Sequence, residues 1–262
     1  MAITICVCNN KGGPGKTTSS VNIAHALARE KRNILLVDAD PQSNATAKLL
    51  DDRIPPEQTL FAAFTNIEDN SNNSNSIIHY TKYERLWCIP NHIDLTSKEL
   101  FMGSDLRSFW VLREILIPHS ERFDYIIIDS PPNLGIFVVN SLIASDLLIV
   151  PVECGSTDSL EGLGNLFGLV SFIREKFNPS LRLYKILPTK IDKRTTASRI
   201  VLEMILEAYG KDKVFETNIP RSTIFQQAEA MRGSIFERDQ NSYGARAYRA
   251  IAREIIKDLE ES

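Results

Sequence analysis

The chain has 262 residues, 43% hydrophobic and 24% charged, the composition of an ordinary globular protein able to bury one substantial core, so one domain over residues 1–262 is expected. The net charge of −3 argues against a uniformly nucleic-acid-coating protein, yet from Arg182 to Lys257 fifteen Lys and Arg stand against nine Asp and Glu, a bias compatible with one DNA-facing surface. No apolar run approaches the ~18 residues of a membrane span and the first residues are strand-like without a targeting pattern, which predicts a cytoplasmic protein.

Ile3 to Cys8 is a short apolar, β-branched run that reads as a buried strand, with Cys6 and Cys8 on one face. They and the other cysteines, Cys88 and Cys154, form no C-x-x-C pair and lack histidines at ligand spacing, which argues against a metal cluster within one chain. From Thr17 to Glu30 the apolar residues Val21, Ala24, Leu27 and Ala28 make a helical stripe. Between strand and helix lies Asn9-Asn10-Lys11-Gly12-Gly13-Pro14-Gly15-Lys16-Thr17-Thr18, a loose fit to G-x-x-x-x-G-K-[ST] with Asn10 in the first glycine slot. Glycines there let successive amides and the helix N-terminus wrap phosphate oxygens. On this pattern Gly12, Gly13 and Gly15 line the phosphates and Lys16 reaches the β- and γ-phosphates. Thr17 binds Mg²⁺ through its hydroxyl, and Thr18 bonds the α-phosphate.

The segment from Lys11 to Thr18 resembles the deviant Walker A loop of the ParA/MinD ATPases. That resemblance implies that the second lysine, Lys11, crosses a dimer interface and contacts the phosphates of the partner's nucleotide, a cation supplied in trans in the manner of an arginine finger. Pro14 departs from the small aliphatic residue usual at its place; it removes one amide donor and fixes φ, and Gly13 before it is best able to absorb the restriction. A stiffer loop that still binds nucleotide is expected.

Ile34-Leu35-Leu36-Val37 is a second strand closing on Asp38-Ala39-Asp40-Pro41-Gln42, and Ser43 to Leu50 has helical character. The acidic block is similar to the family's D-x-D-P-Q motif, which implies that Asp40 orients the attacking water and Asp38 supports the Mg²⁺ shell. Asn66 to Ser76 is a polar tract read as an exposed loop. Leu86 to Leu95 reads as a strand and turn, and Ser104 to Ile117 as a helix with core aromatics Phe109 and Trp110. Phe123 to Asp129 is a buried strand of Walker B pattern whose Asp129 would hold Mg²⁺, and Ser130-Pro131-Pro132-Asn133 must leave the sheet as a loop. With Leu134 and Gly135 that loop resembles the family's second switch.

Asp146 to Val152 is another strand, followed by a long helix from Ser156 to Phe177. Its Gly162, Gly164 and Gly168 admit a close backbone, either a dimer partner or the chain's own sheet. After a strand at Arg182 to Pro188, the resemblance implies base contacts from Asp192 and from Pro220 and Arg221 of the I-P-R segment; Asp192 fits equally well as a cap of the helix that begins near Thr195. The last helix, Tyr243 to Leu259, repeats Ala247, Ile251, Ile255 and Leu259 on one face and Arg246, Arg249, Arg253 and Lys257 on the other. That basic stripe suits DNA backbone phosphates, and a solvated amphipathic face is the alternative. The acidic end argues against the basic membrane-targeting tail of MinD proteins.

Alternating strands and helices predict an α/β fold: a doubly wound, predominantly parallel twisted sheet with helices on both faces, a P-loop NTPase of the deviant Walker A type. The resemblance covers most of residues 3 to 256 and looks like the short partition type, with no helix-turn-helix extension before the loop. It implies ATP and Mg²⁺ as cofactors, an ATP-bound homodimer, non-specific double-stranded DNA and a ParB-like adaptor as partners, and a nucleoid-associated location. The cargo would be a plasmid, a chromosome region or a compartment such as the carboxysome. A MinD-like membrane regulator and a metabolic enzyme of the same nucleotide fold are the alternatives.

Overall fold

A computed structural model describes residues 1–51, 53–65, 74–96, 106–155 and 158–260. Among the described residues seven strands form one sheet: β1 (Ile3–Val7), β2 (Ile34–Asp38), β3 (His79–Tyr80), β4 (Leu86–Ile89), β5 (Tyr125–Asp129), β6 (Leu147–Glu153) and β7 (Arg182–Thr189). Their order is β3-β4-β2-β5-β1-β6-β7, and every pairing is parallel except β3 with β4. The expected doubly wound sheet is therefore the observed one. The two-residue edge strand β3 is an addition, too short to leave a periodic signal in the sequence.

Both faces are covered, which is why β1, β2 and β5 read as continuous apolar runs. Alternation still assigns each residue to a side. Ile5 and Val7 join a core with α1 (Lys16–Arg29) and the last helix, whereas Cys6 and Cys8 face the opposite layer with Val138, Leu142, Leu163 and Leu166. All four cysteines are buried and unpaired.

Shorter helices follow β2: α2 (Thr46–Leu49) and α3 (Leu60–Thr65). Helical character expected from Ser43 begins only at Thr46, because Ser43 itself takes a left-handed φ of 56°. The stretch expected as one helix up to Ile117 is broken. A 3₁₀ turn covers Leu106–Phe109, α4 covers Val111–Leu116, and Leu106 and Ile117 are exposed. Phe109 and Trp110 do pack on the core. The polar tract's residues 66–73, and the starts expected at Ser104 and Ser156, lie outside the described residues.

On the far layer stand α5 (Ile136–Ile143), α6 (Asp158–Glu161), α7 (Leu163–Lys176) and α8 (Thr196–Tyr209). The long helix predicted after β6 is thus two, divided at Gly162. A Cβ at Gly162 would overlap the Asn10 side chain, so this glycine serves packing against the chain's own phosphate loop. Gly164 and Gly168 instead meet open space. Two short helices, α9 (Thr223–Ala230) and α10 (Ile235–Asp239), precede α11 (Tyr243–Glu260), which lies along α1. Among the described residues no helix is long and apolar enough to cross a membrane.

Candidate nucleotide site

The chain leaves β1 for β2 on one side and later crosses to β6 on the other, so strand order reverses beside β1. Ligands of open α/β sheets bind at the carboxyl ends of strands at such a reversal. The loop from Asn9 to Gly15 sits there. Its residues Gly12 to Gly15 line a cavity of about 540 Å³ together with Lys16, Thr17 and Thr18 at the start of α1, Asp40, Pro132, and Pro220 and Arg221.

The loop's curvature comes from two residues in the left-handed region, Gly13 (φ 91°) and Gly15 (φ 90°), where an L side chain is strained. Pro14 lies between them, so its fixed φ is flanked on both sides by the residues best able to accommodate it. Two side chains fasten the loop to the sheet. Asn9 donates from Nδ2 to the Pro151 carbonyl (2.7 Å) and accepts from the Lys11 amide (3.1 Å), and Thr189 Oγ1 donates to the Pro14 carbonyl (2.8 Å). Sequence reasoning missed both, since their partners are 142 and 175 residues away along the chain. Thr189→Val is expected to lower stability by about 1 kcal/mol and to weaken ATP binding several-fold; unchanged affinity in calorimetry would show the clasp to be dispensable.

Lys16 is 7% exposed, and its Nζ donates to the Lys11 carbonyl at 2.8 Å across the loop. Burial lowers its pKa, and Asp129 and Asp40 act against that shift. Lys11 is exposed, lines a small separate recess with Glu153 and not this cavity, and forms no ion pair among the described residues. Its two main-chain groups are engaged in the loop while its side chain is not.

Three acids converge because parallel pairing aligns strand ends: Asp38 and Val7 are both register partners of Asp129. Asp38 accepts from the Thr46 amide (2.8 Å) and hydroxyl (2.7 Å) through Oδ2 and from the Asp40 amide (3.2 Å) through Oδ1. It therefore braces the segment that carries Asp40. Asp40 lines the cavity and accepts from the Gln42 amide at 3.0 Å. Asp129 Oδ1 accepts from Ser20 Oγ at 2.8 Å, while its Oδ2 is buried without a hydrogen-bond partner. That orphaned oxygen, with the Thr17 hydroxyl acting on the same carboxylate, is a donor set suited to a hard divalent cation such as Mg²⁺.

Burial, then the charge of Asp129, pushes the Asp38 carboxyl up to about 8; burial pushes Asp129 up to about 6, against the neighbouring hydroxyls of Thr17 and Ser20. Both groups bind protons more tightly folded than unfolded. Their contribution to stability therefore falls as pH rises from about 4 through those two values. The melting midpoint of nucleotide-free protein should drop over this range, and Asp38→Asn should flatten the drop; an identical pH slope in that variant would contradict it.

On the base side, Pro220 and Arg221 line the cavity but Asp192 does not. The Asp192 carboxylate accepts from Arg194 Nε (2.9 Å), Nη2 (2.8 Å) and amide (3.0 Å), and the helix cap is Thr195, which accepts from the Ser198 amide. Thr195 thus takes the cap position that Asp192 was expected to fill, and the Asp192 carboxylate is engaged by Arg194. The cavity wall instead holds Phe225, Gln226 and Glu229 of α9, Lys48 of α2 and Tyr248 of α11, all unforeseen. Lys48 and Glu229 approach to 3.7 Å, and Tyr248 Oη lies 3.1 Å from Ser19 Oγ. The serines that cap α9 and α10, Ser222 and Ser234, are the sequence signal that would have found these helices. Arg246, Arg253 and Lys257 are exposed and Arg249 half-buried, all away from the cavity on α11.

Residues 2–183 match the family described as AAA domain. The chain is 36% identical over 97% of its length to the sporulation initiation inhibitor protein Soj of Bacillus subtilis, covering 98% of that protein. It is 35% identical, again over 97%, to the chromosome partitioning protein ParA of Myxococcus xanthus, of which it covers 87%. Cobyrinic acid a,c-diamide synthase from Mycobacterium smegmatis, solved with bound ADP and magnesium, superposes with a TM-score of 0.82 at 31% identity, over 99% of this chain and 96% of that one. The chain belongs to the AAA-domain family that includes the ParA and Soj partitioning proteins.

Proposed function

We propose that this protein is a Mg²⁺-dependent ATPase that pairs around two ATP molecules, binds nucleoid DNA without sequence preference, and is released when an adaptor stimulates hydrolysis. Such a cycle partitions or positions an intracellular cargo. The observation that carries the reading is the division between two lysines on one loop: Lys16 is buried against the loop's own carbonyl, whereas Lys11 is exposed with a free side chain. A single subunit's phosphates need only the first. The second suits a nucleotide bound across a dimer interface, and relatives named ParA and Soj support the same cycle.

Within the site, Gly12, Gly13, Gly15, Lys16 and Thr18 hold the phosphates. Thr17 and Asp129 hold Mg²⁺, which supplies charge neutralisation to the β- and γ-phosphates, with Asp38 one step behind as a brace. Asp40 sets the attacking water, and Pro220 and Arg221 flank the base. Arg246, Arg249, Arg253 and Lys257 meet DNA phosphates.

ATP-dependent gel shift with random-sequence duplex, run beside vesicle co-sedimentation, tests the reading. DNA should shift with ATP and vesicles should not pellet the protein; the opposite pattern would favour a membrane-cycling regulator. The likeness to a diamide synthase supports a second reading, ATP-driven amide formation. Turnover indifferent to DNA but accelerated by a carboxylic acid with an amine donor would favour that one.

A further inference from the structure

The other end of α1 opens on a second concave surface, a cleft of about 750 Å³. α1 runs 14 residues, roughly 20 Å, so this cleft is well separated from the phosphate loop. Three segments distant in sequence line it with cations: Arg29 and Lys31 at the end of α1, Lys82 and Arg85 in the turn before β4, and Arg249 and Arg253 of α11. Glu30, Glu84 and Glu237 share the surface, leaving a local positive excess in a chain whose net charge is −3.

Of the six cations, Lys82 pairs with Asp51 (3.5 Å) and Glu237 (3.6 Å), Arg85 with the exposed Glu84 (3.8 Å) and Arg253 with Glu30 (3.0 Å), while Arg29, Lys31 and Arg249 form no ion pair among the described residues. Arg29 donates to Gln240 Oε1 (3.3 Å) and Arg249 to the Gln240 carbonyl (3.2 Å). Arg253, though paired, keeps a side chain 66% exposed. The floor is aromatic and closed: His25 stacks on Tyr83 with centroids 4.0 Å apart and bonds Ser234 at 2.6 Å. Burial pulls the His25 pKa down to about 3, so it adds no charge at neutral pH.

Backbone strain falls on the same cleft. Lys31 (φ 65°) and Arg85 (φ 60°) both occupy the left-handed region. Lys31 ends α1 in a Schellman arrangement, with its amide donating to Ala28 (3.0 Å) and that of Arg32 to Leu27 (3.2 Å), a place where glycine is the default. Two cations thus stand where glycine would relieve strain, as Lys190 and Arg232 also do outside the cleft.

We infer that this cleft seats the phosphodiester backbone of duplex DNA, with Arg29, Lys31, Lys82 and Arg85 extending the basic face of α11 around the base of α1. The inference rests on the DNA-binding reading above. Point charges spread over an open groove suit repeated phosphates, whereas a bound peptide would need apolar side-chain pockets, and the rings here, Tyr83 and Phe236, are buried in the floor.

The test measures random-sequence duplex binding by fluorescence anisotropy across a salt series, using the full chain with ATP and Mg²⁺. A Lys31→Gly, Arg85→Gly double variant suits both left-handed positions, so its melting midpoint should equal or exceed the wild-type value and its ATP affinity should not change. Its DNA affinity should fall roughly ten- to a hundredfold at 0.1 M salt, with the log–log salt slope shallower by about 2. Wild-type affinity and slope in this variant would overturn the inference. The comparison variant is Arg246→Ala, Lys257→Ala. If it alone weakens binding, the cleft is wrong and the DNA reading stands. If the wild-type chain binds no duplex, the DNA reading falls first, and tight binding of polyglutamate in its place would assign the cleft to an acidic peptide.

Discussion

Lys11→Ala is expected to abolish ATP-dependent dimers while leaving ATP binding by the monomer nearly intact. The reason lies in which of this residue's atoms the chain itself uses. Its amide is held by Asn9 Oδ1 and its carbonyl by Lys16 Nζ, and alanine keeps both. Its side chain shares a small recess with Glu153, but Glu153 is already paired with Lys190 at 2.9 Å. Truncation therefore leaves no buried group unpaired and no loop unfastened. Lys16→Ala differs in kind: it removes a nearly buried ammonium from the centre of the loop, and nucleotide binding should fail outright. A cation supplied in trans to a transferring phosphoryl group contributes about 10³-fold or more to turnover, so stimulated hydrolysis should collapse along with the dimer. Size-exclusion chromatography with ATP, paired with calorimetric titration of ATP, separates the two effects. Normal dimers in Lys11→Ala would overturn the role in trans.

What the sequence revealed of this site follows the range of the interactions that build it. Ile3 to Thr18 could be read because strand, glycine loop and helix are contiguous, and each choice of residue answers to its immediate neighbours. Asp38 and Asp129 were legible as strand ends, yet only the register that pairs them shows that Asp38 is spent on Thr46 and Asp40 while Asp129 keeps an open oxygen. Phe225, Gln226, Glu229 and Lys48 reach the cavity through short helices whose positions depend on tertiary packing, and short helices carry little periodic signal. The cap expected at Asp192 falls instead to Thr195, because Arg194, two residues away, engages the Asp192 carboxylate. The basic cleft was half visible. The α11 stripe could be drawn on a helical wheel, but Lys31 and Arg85 join it from turns that share no pattern with it.

Asp40→Ala is expected to trap the ATP-bound dimer, with turnover reduced by about a hundredfold or more. Asp40 is 7% exposed at the cavity wall, and its carboxylate accepts from the Gln42 amide at 3.0 Å. Losing that bond costs about 1 kcal/mol, too little to unfold the segment, because Asp38 still holds Thr46 through two short bonds. The phosphate contacts from the glycine loop and Lys16 are untouched, so ATP should bind and the interface should close. What is lost is the carboxylate beside the phosphates that fixes a water for in-line attack, and no other group in the loop is a strong base to replace it. Asp38→Ala supplies the contrast. It leaves the Thr46 amide without its acceptor and the Thr46 hydroxyl with only the bond it accepts from the Asn91 amide, and it frees the segment that carries Asp40, so it should destabilise the fold by a few kcal/mol. The two variants separate chemistry from support: Asp40→Ala should melt near wild type and persist as a dimer with ATP. A variant that stays monomeric with ATP, or that turns over ATP at the wild-type rate, would remove Asp40 from the reaction.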